Sequence, residues 1–200
     1  MNNFIYNIWS KFLVWFSKIK ILSFYYLPVL ACDLEGDYVN GYDIVRIMQL
    51  VKPGDVLIRG YDEYLDGKFI PDELGYSHAG LYIGDNQIIH ACAPCVQYGS
   101  LVDFCQCDRI MILRPTYGTI EAIELAKSKV GVPYDFNYES DRGKLYCFEL
   151  IATVYHFVDF ETFTISKFFG LVKRTCYIAK SLYGSEFFLK VYEKNKNAES

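Results

Sequence analysis

Clustered basic charge is what this sequence of 200 residues most plainly lacks. Lys and Arg number 20 against 24 Asp and Glu, for a formal net charge of −4, and no Lys/Arg stripe gathers anywhere. A nucleic-acid binder relies on such a stripe to neutralise phosphates, so no nucleic-acid partner is expected. Low-complexity tracts and internal repeats are missing as well. With 52% hydrophobic and 22% charged residues, the chain has enough apolar material for a packed core, which excludes disordered and collagen-like classes. Histidine is scarce, at three residues, so each one carries weight. The seven cysteines, at positions 32, 92, 95, 105, 107, 147 and 176, are an odd number that cannot all pair within the chain. That count points to a reducing, cytoplasmic compartment, where most thiols act as small hydrophobes and one is a candidate reactive group.

Residues 1–40 read as an N-terminal helical segment and a polar connector, Asp33 to Asn40, and the segment separates from the rest by charge. Residues 1–32 hold Lys11, Lys18 and Lys20 and no acid. Phe4, Ile5, Ile8, Trp9, Phe12, Trp15, Phe16 and Ile19 recur at helical spacing, predicting an amphipathic helix with a polar opposite face. No charge-free run there reaches the ~18 residues of a spanning helix. The helix is expected to pack on the domain or to lie on a membrane surface through residues 1–30. The alternative is an exported lipoprotein anchored at Cys32, because Val29-Leu30-Ala31-Cys32 faintly resembles a lipoprotein cleavage box, although Tyr25, Tyr26 and Pro28 interrupt the apolar stretch.

The remainder reads as one α+β domain over residues 41–194, with a short tail at 195–200. A helix is predicted over Tyr42 to Leu50, ended by Lys52-Pro53-Gly54, then a strand over Asp55 to Arg59. Tyr61 to Gly75 reads as a loop. Strands are predicted at His78 to Ile83, Gln87 to Ala91 and Arg109 to Arg114, the first two joined through a three-residue turn, Gly84-Asp85-Asn86, into an antiparallel hairpin. An amphipathic helix follows over Glu121 to Val130, closed by Gly131. A further helix begins near Tyr146 and runs through Val154. The tail carries a short helix at Ile178 to Leu182 and a last strand at Phe187 to Tyr192.

Two of the three histidines fall in the predicted hairpin. His78 and His90 are twelve residues apart (90 minus 78), which puts them nearly opposite each other on one face. Such a pair can serve as a base and the group that fixes its tautomer. It is equally compatible with a metal pair or an ordinary aromatic face. Cys147, at the start of a helix, adds a thiol that would feel the positive helix end, and that environment is expected to lower its pKa. A thiolate beside an imidazole is the arrangement of nucleophilic acyl transfer.

Five segments then share an order. Pro53-Gly54-Asp55-Val56-Leu57 comes first, followed by Tyr76-Ser77-His78-Ala79-Gly80-Leu81-Tyr82-Ile83-Gly84 and Ile88-Ile89-His90-Ala91. Gly131-Val132-Pro133-Tyr134-Asp135-Phe136 and Tyr146-Cys147-Phe148-Glu149-Leu150 complete the set. Together they resemble the circularly permuted branch of the NlpC-like papain superfamily, that of the YiiX-like proteins and their poxvirus relatives, over about residues 44–192. The resemblance implies a papain-like antiparallel sheet packed against helices. It also implies Cys147 as nucleophile, His78 as base and the residue at the end of the next strand as orienter. Many relatives carry Glu there; this chain has His90, as does the related lecithin retinol acyltransferase group, which moves lipid acyl chains.

The expected activity is therefore a cysteine hydrolase acting on a peptide amide through a thioester, with the backbone N–H of Cys147 helping to hold the oxyanion. Lipid acyl hydrolysis or acyltransfer is an alternative, as is a catalytically silent membrane-surface or protein-binding module. Tyr146, Tyr134 and Asp135 match the family's motifs and are expected either to line the cleft or to pack the helix. Glu149 reads as structural at the helix start. Cys92, Cys95, Cys105 and Cys107 form C-x2-C and C-x-C spacings, the second tighter than usual zinc pairs; they read as incidental thiols, and no metal or cofactor is expected. His156 reads as a satisfied core residue.

Overall fold

A computed structural model of the chain describes residues 21–24, 27–30, 38–61, 74–138, 143–167 and 172–195. The predicted helix over Phe4 to Ile19 and most of the Tyr61 to Gly75 loop lie outside these. Within the apolar stretch 21–31 the chain forms two short antiparallel strands, β1 (Ile21–Phe24) and β2 (Leu27–Leu30).

Helix α1 (Gly41–Leu50) starts on Asn40, whose side-chain oxygen accepts from the Tyr42 and Asp43 N–H groups at 2.9 and 3.3 Å. The Asp43 carboxylate accepts from the Asn40 N–H in return, at 3.1 Å, so the first-turn donors are satisfied before the apolar face begins. Then come β3 (Val56–Gly60), β4 (His78–Gly84), β5 (Gln87–Cys92) and β6 (Cys95–Ser100). A four-residue helix, α2 (Leu101–Phe104), leads to β7 (Arg109–Pro115), α3 (Thr119–Ser128) and α4 (Cys147–Val154). A separate hairpin, β8 (Phe163–Lys167) and β9 (Val172–Cys176), is followed by α5 (Ala179–Tyr183) and β10 (Phe188–Lys194). The main sheet has six strands in the order β10-β7-β3-β4-β5-β6, all neighbours antiparallel.

Both faces of this sheet are buried, by different partners. Val56, Ile58, Ala79, Leu81, Ile89 and Ala91 point to α4, whose Phe148, Leu150, Ile151 and Val154 complete the larger core. Alternate residues Leu57, Tyr82, Ile88, Ile110 and Ile112 point the other way, to Ile47 of α1 and Phe104 of α2. Helix α4 is apolar on nearly every side, as a helix wrapped by core must be.

The Pro53-Gly54-Asp55 segment locks the sheet to its surroundings. Gly54 has φ +93°, and a Cβ there would come within 2.6 Å of Thr119. Both observations require glycine. Asp55, 1% exposed, accepts from the Lys52 N–H at 2.8 Å and from Arg114 Nε and Nη2 at 2.8 and 2.6 Å. The Tyr155 hydroxyl, from the end of α4, donates to the Gly54 carbonyl at 2.6 Å.

The β4–β5 turn is shorter than the three residues expected from sequence. Gly84 pairs with Gln87, and only Asp85 and Asn86, at φ 49° and 57°, make the turn. Asx residues in left-handed geometry are what a two-residue primed turn demands. A register shift between Tyr82 and Gly84 absorbs the odd residue. His156, expected in the core, is exposed, with its Nε2 3.9 Å from Glu121.

Candidate active site

The residues that sequence singled out converge around the first residue of β4. The register pairs Leu81 with Ile89, so His78 and His90 stand diagonally rather than directly opposite. Diagonal neighbours of equal parity still share a face, and long rings span the gap: His78 Nε2 lies 2.9 Å from His90 Nδ1, with ring centroids 5.1 Å apart. Phe104 closes over both imidazoles at 5.5 and 5.8 Å. Beneath His90 the neighbouring strand carries Gly99, where a Cβ would come within 2.9 Å of His90 Nε2. Only glycine leaves the ring its place.

Cys147 approaches from the other side of the sheet. It is the first residue of α4, with Tyr146 as a cap that supplies no side-chain bond, so the first-turn N–H groups are turned toward the thiol. Its Sγ lies 3.9 Å from the carbonyl oxygen of Ser77, the residue just before His78. The thiol's hydrogen-bonding neighbours are backbone groups: this carbonyl, and the N–H groups of Ala79, Phe148 and Cys147 itself. The thiol thus meets the backbone at the start of β4, on the face of the sheet opposite the two imidazoles, and in this structure the described hydrogen bonds of Cys147 stay with the backbone.

The electrostatics correct one expectation. Helix-start placement was expected to lower the Cys147 pKa, yet burial pushes the thiol up to about 12. The three backbone donors pull the other way but do not outweigh the loss of water around a thiolate, and Cys92 nearby adds to the rise. The imidazoles are displaced in the opposite direction. Burial first, and Arg59 second, bring His90 down to about 4 and hold His78 well below the usual 6.5. The resting site is a neutral thiol with neutral imidazoles.

Arg59 escaped the sequence reading. It is the cross-strand partner of His78 on β3, and its Nη1 donates to the carbonyls of Asp103 and Phe104 at 3.2 and 3.0 Å. Its guanidinium lies 4.5 Å from the centre of the Phe104 ring. The signal was available, because a strand ending in Arg59 and paired with the His78 strand in antiparallel register brings the two together. The placement of Cys92 was also missed. Its Sγ sits 3.7 Å from His90 Nε2 and 2.6 Å from Gln97 Nε2, and its main-chain partner across the β5–β6 hairpin is Cys95.

The three flanking motif residues divide. Tyr146 is a buried strut whose hydroxyl accepts from the Tyr177 N–H at 2.7 Å. Asp135, 3% exposed, accepts from the Asn137 N–H at 2.8 Å and shapes its own turn. Tyr134 stands near both Cys147 and Cys92: burial raises its pKa, and Tyr138 and the two thiols add to the rise. Glu149 is buried in the first turn of α4. Among the described residues, no group of three or more His, Cys, Asp or Glu side chains gathers where it could hold a metal ion. No helix among them is long and apolar enough to cross a membrane.

A helix-start cysteine packed against a strand that begins with histidine is the arrangement the motif order implied. The model of the permuted papain-like amidase enzymes, YaeF/YiiX, C92 family, matches residues 50–175, more than half of the chain. The chain belongs to this permuted papain-like amidase family. The match spans β3 to β9 and takes in His78, His90 and Cys147. A solved structure with the same fold is that of the metalloprotein YiiX from Escherichia coli O157:H7, with a TM-score of 0.61 and 16% identity over 73% of this chain and 99% of that one. At that identity the likeness is one of fold. No curated protein matches the chain. For this member of the amidase family, the mixed α+β architecture with its six-stranded antiparallel sheet is observed, and the overall fold is one it shares with YiiX.

Proposed function

We propose that the protein is a cysteine amidase in which Cys147 is the nucleophile, His78 the base and His90 the orienter. The observation that carries this reading is the 2.9 Å bond between His78 Nε2 and His90 Nδ1. It occupies one nitrogen of His78 and leaves Nδ1 for the thiol on the neighbouring helix start. Because the resting thiol is neutral, no preformed thiolate attacks. Substrate enters, the thiol and imidazole close around the end of β4, and proton transfer accompanies attack, as is common where apo contacts are long. Sγ bonds to the carbonyl carbon while its proton passes to His78 Nδ1. The N–H groups of Cys147 and Phe148 stabilise the oxyanion at the positive end of α4. His78 then gives the proton to the departing amine, which leaves a thioester on Cys147. Water attacks that thioester, with His78 taking its proton, and releases the acid and the free thiol.

The paired imidazoles also favour ester or acyl-transfer chemistry, since a second His in this place is the arrangement of the acyltransferase group named above. A panel of peptide amides and acyl esters, assayed with wild type, Cys147→Ala and His78→Ala, tests the reading. Amide turnover should vanish in Cys147→Ala and fall on the order of 10² or more in His78→Ala. Turnover of esters alone would move the substrate class to acyl lipids. Full activity in Cys147→Ala would overturn the mechanism.

A further inference from the structure

Two hydrogen-bonded imidazoles leave open which way their protons point, and the direction decides whether His78 can act. A neutral imidazole carries one N–H and one lone pair. If His78 is to take a proton at Nδ1, its own proton must sit on Nε2, the nitrogen 2.9 Å from His90 Nδ1. His78 then donates and His90 Nδ1 accepts. That places the proton of His90 on Nε2, where it needs an acceptor. Among the described residues, the group beside that nitrogen is Cys92 Sγ, at 3.7 Å. In the reverse direction the Cys92 thiol, a weak donor, would drive the relay, and His78 would end with its proton on Nδ1, unable to accept another.

We infer that Cys92 is a positioning residue: its sulfur accepts the His90 Nε2 proton and thereby fixes both imidazoles in the tautomers that leave His78 Nδ1 open. This deepens the hydrolase reading and rests on it. Two further features hold the sulfur for that task. Gln97, the cross-strand partner of His90, donates to it from Nε2 at 2.6 Å, so the sulfur is held from the neighbouring strand. Burial raises the Cys92 pKa, so the group is a thiol whose lone pairs remain available to an N–H. Gly99, facing the His90 ring, leaves Nε2 the room that a Cβ would take.

Serine keeps an acceptor at this position and valine removes it at similar volume. Long-range proton–nitrogen NMR on uniformly labelled protein reads the tautomer of each of the three histidines directly, with His90 assigned by its loss in His90→Gln. The wild type should show His90 protonated on Nε2. Cys92→Val should show mixed tautomers at His90 and a kcat lower by about tenfold or more with KM nearly unchanged, because wrong-tautomer histidine is inactive rather than poorly bound. Cys92→Ser should recover most of both signals. A wild-type His90 protonated on Nδ1, or a Cys92→Val protein with wild-type tautomers, would overturn the relay. A wild type with the expected tautomers but no turnover of any amide or ester would instead overturn the hydrolase reading and leave the proton arrangement standing.

Discussion

Cys147 illustrates how one residue can be located correctly and still be misjudged in its chemistry. Its helix-start position is legible in Tyr146-Cys147-Phe148, but its burial, at 2% exposure, depends on strands that lie seventy positions earlier. Burial wins over the helix end, and the thiol stands near 12 rather than below its ordinary value. The thiolate fraction at pH 7 is then on the order of 10⁻⁵. Iodoacetamide should accordingly label Cys147 slowly in the empty protein, with a rate that climbs about tenfold per pH unit from 7 to 9. Peptide mass spectrometry over that range checks this, and rapid labelling at pH 6 would show a preformed thiolate. The two imidazoles should be unequal. His90→Ala loses orientation only and should lower kcat less than His78→Ala, measured on the same amide.

At the scale of elements, most of the sheet was legible, because β3, β4, β5, β7 and β10 each announce themselves by short apolar runs next to Gly, Pro or Asx. β6 was not. Cys95-Val96-Gln97-Tyr98-Gly99-Ser100 has weak strand character, and what makes it a strand is pairing with β5 on one side and, on the other, the Val96 N–H bonded to the Val132 carbonyl at 2.8 Å. The β8–β9 hairpin was missed as well, although Phe163-Thr164-Ile165-Ser166 alternates as a half-buried strand does. The acceptor role of Cys92 and the cover of Phe104 were hidden for the same reason, since both need β6 and α2 in place. Asp55 is an opposite case. Its position in a Pro-Gly-Asp segment was evident, while its partner Arg114 lies one strand away at 2.6 Å. Asp55→Ala strands the partly buried guanidinium and the Lys52 N–H, and should destabilise the domain by about 3 kcal/mol. Urea unfolding followed by tyrosine fluorescence measures it, and a loss under 1 kcal/mol would reduce the lock to a surface pair.

For the molecule as a whole, the neutral imidazoles couple stability to acid. His90 is about 4 in the folded protein and near 6.5 when unfolded, so below 6.5 the unfolded chain binds the extra proton. The contribution is fully present above pH 6.5, falls as pH drops, and is lost below about 4. It amounts to about 3 kcal/mol for this one group. Denaturation midpoints at pH 7, 5.5 and 4 should therefore decline more steeply for wild type than for His90→Gln. Parallel decline in the two would mean that the imidazole charges without penalty.

The separation of His78 from Cys147 along the chain also sets the order in which the parts are made. His78, His90 and Cys92 all lie on β4 and β5, and Cys147, the proposed nucleophile, is added 69 positions (147 minus 78) after His78. At ordinary translation speeds of ~5–20 residues per second, that is roughly 4–14 s. Strand β10, which closes the sheet against β7, follows later still. A nascent or prematurely ended chain thus carries both histidines before it carries Cys147. Under the proposed mechanism, hydrolytic capacity waits for Cys147, so the half of the site made first is inert on its own.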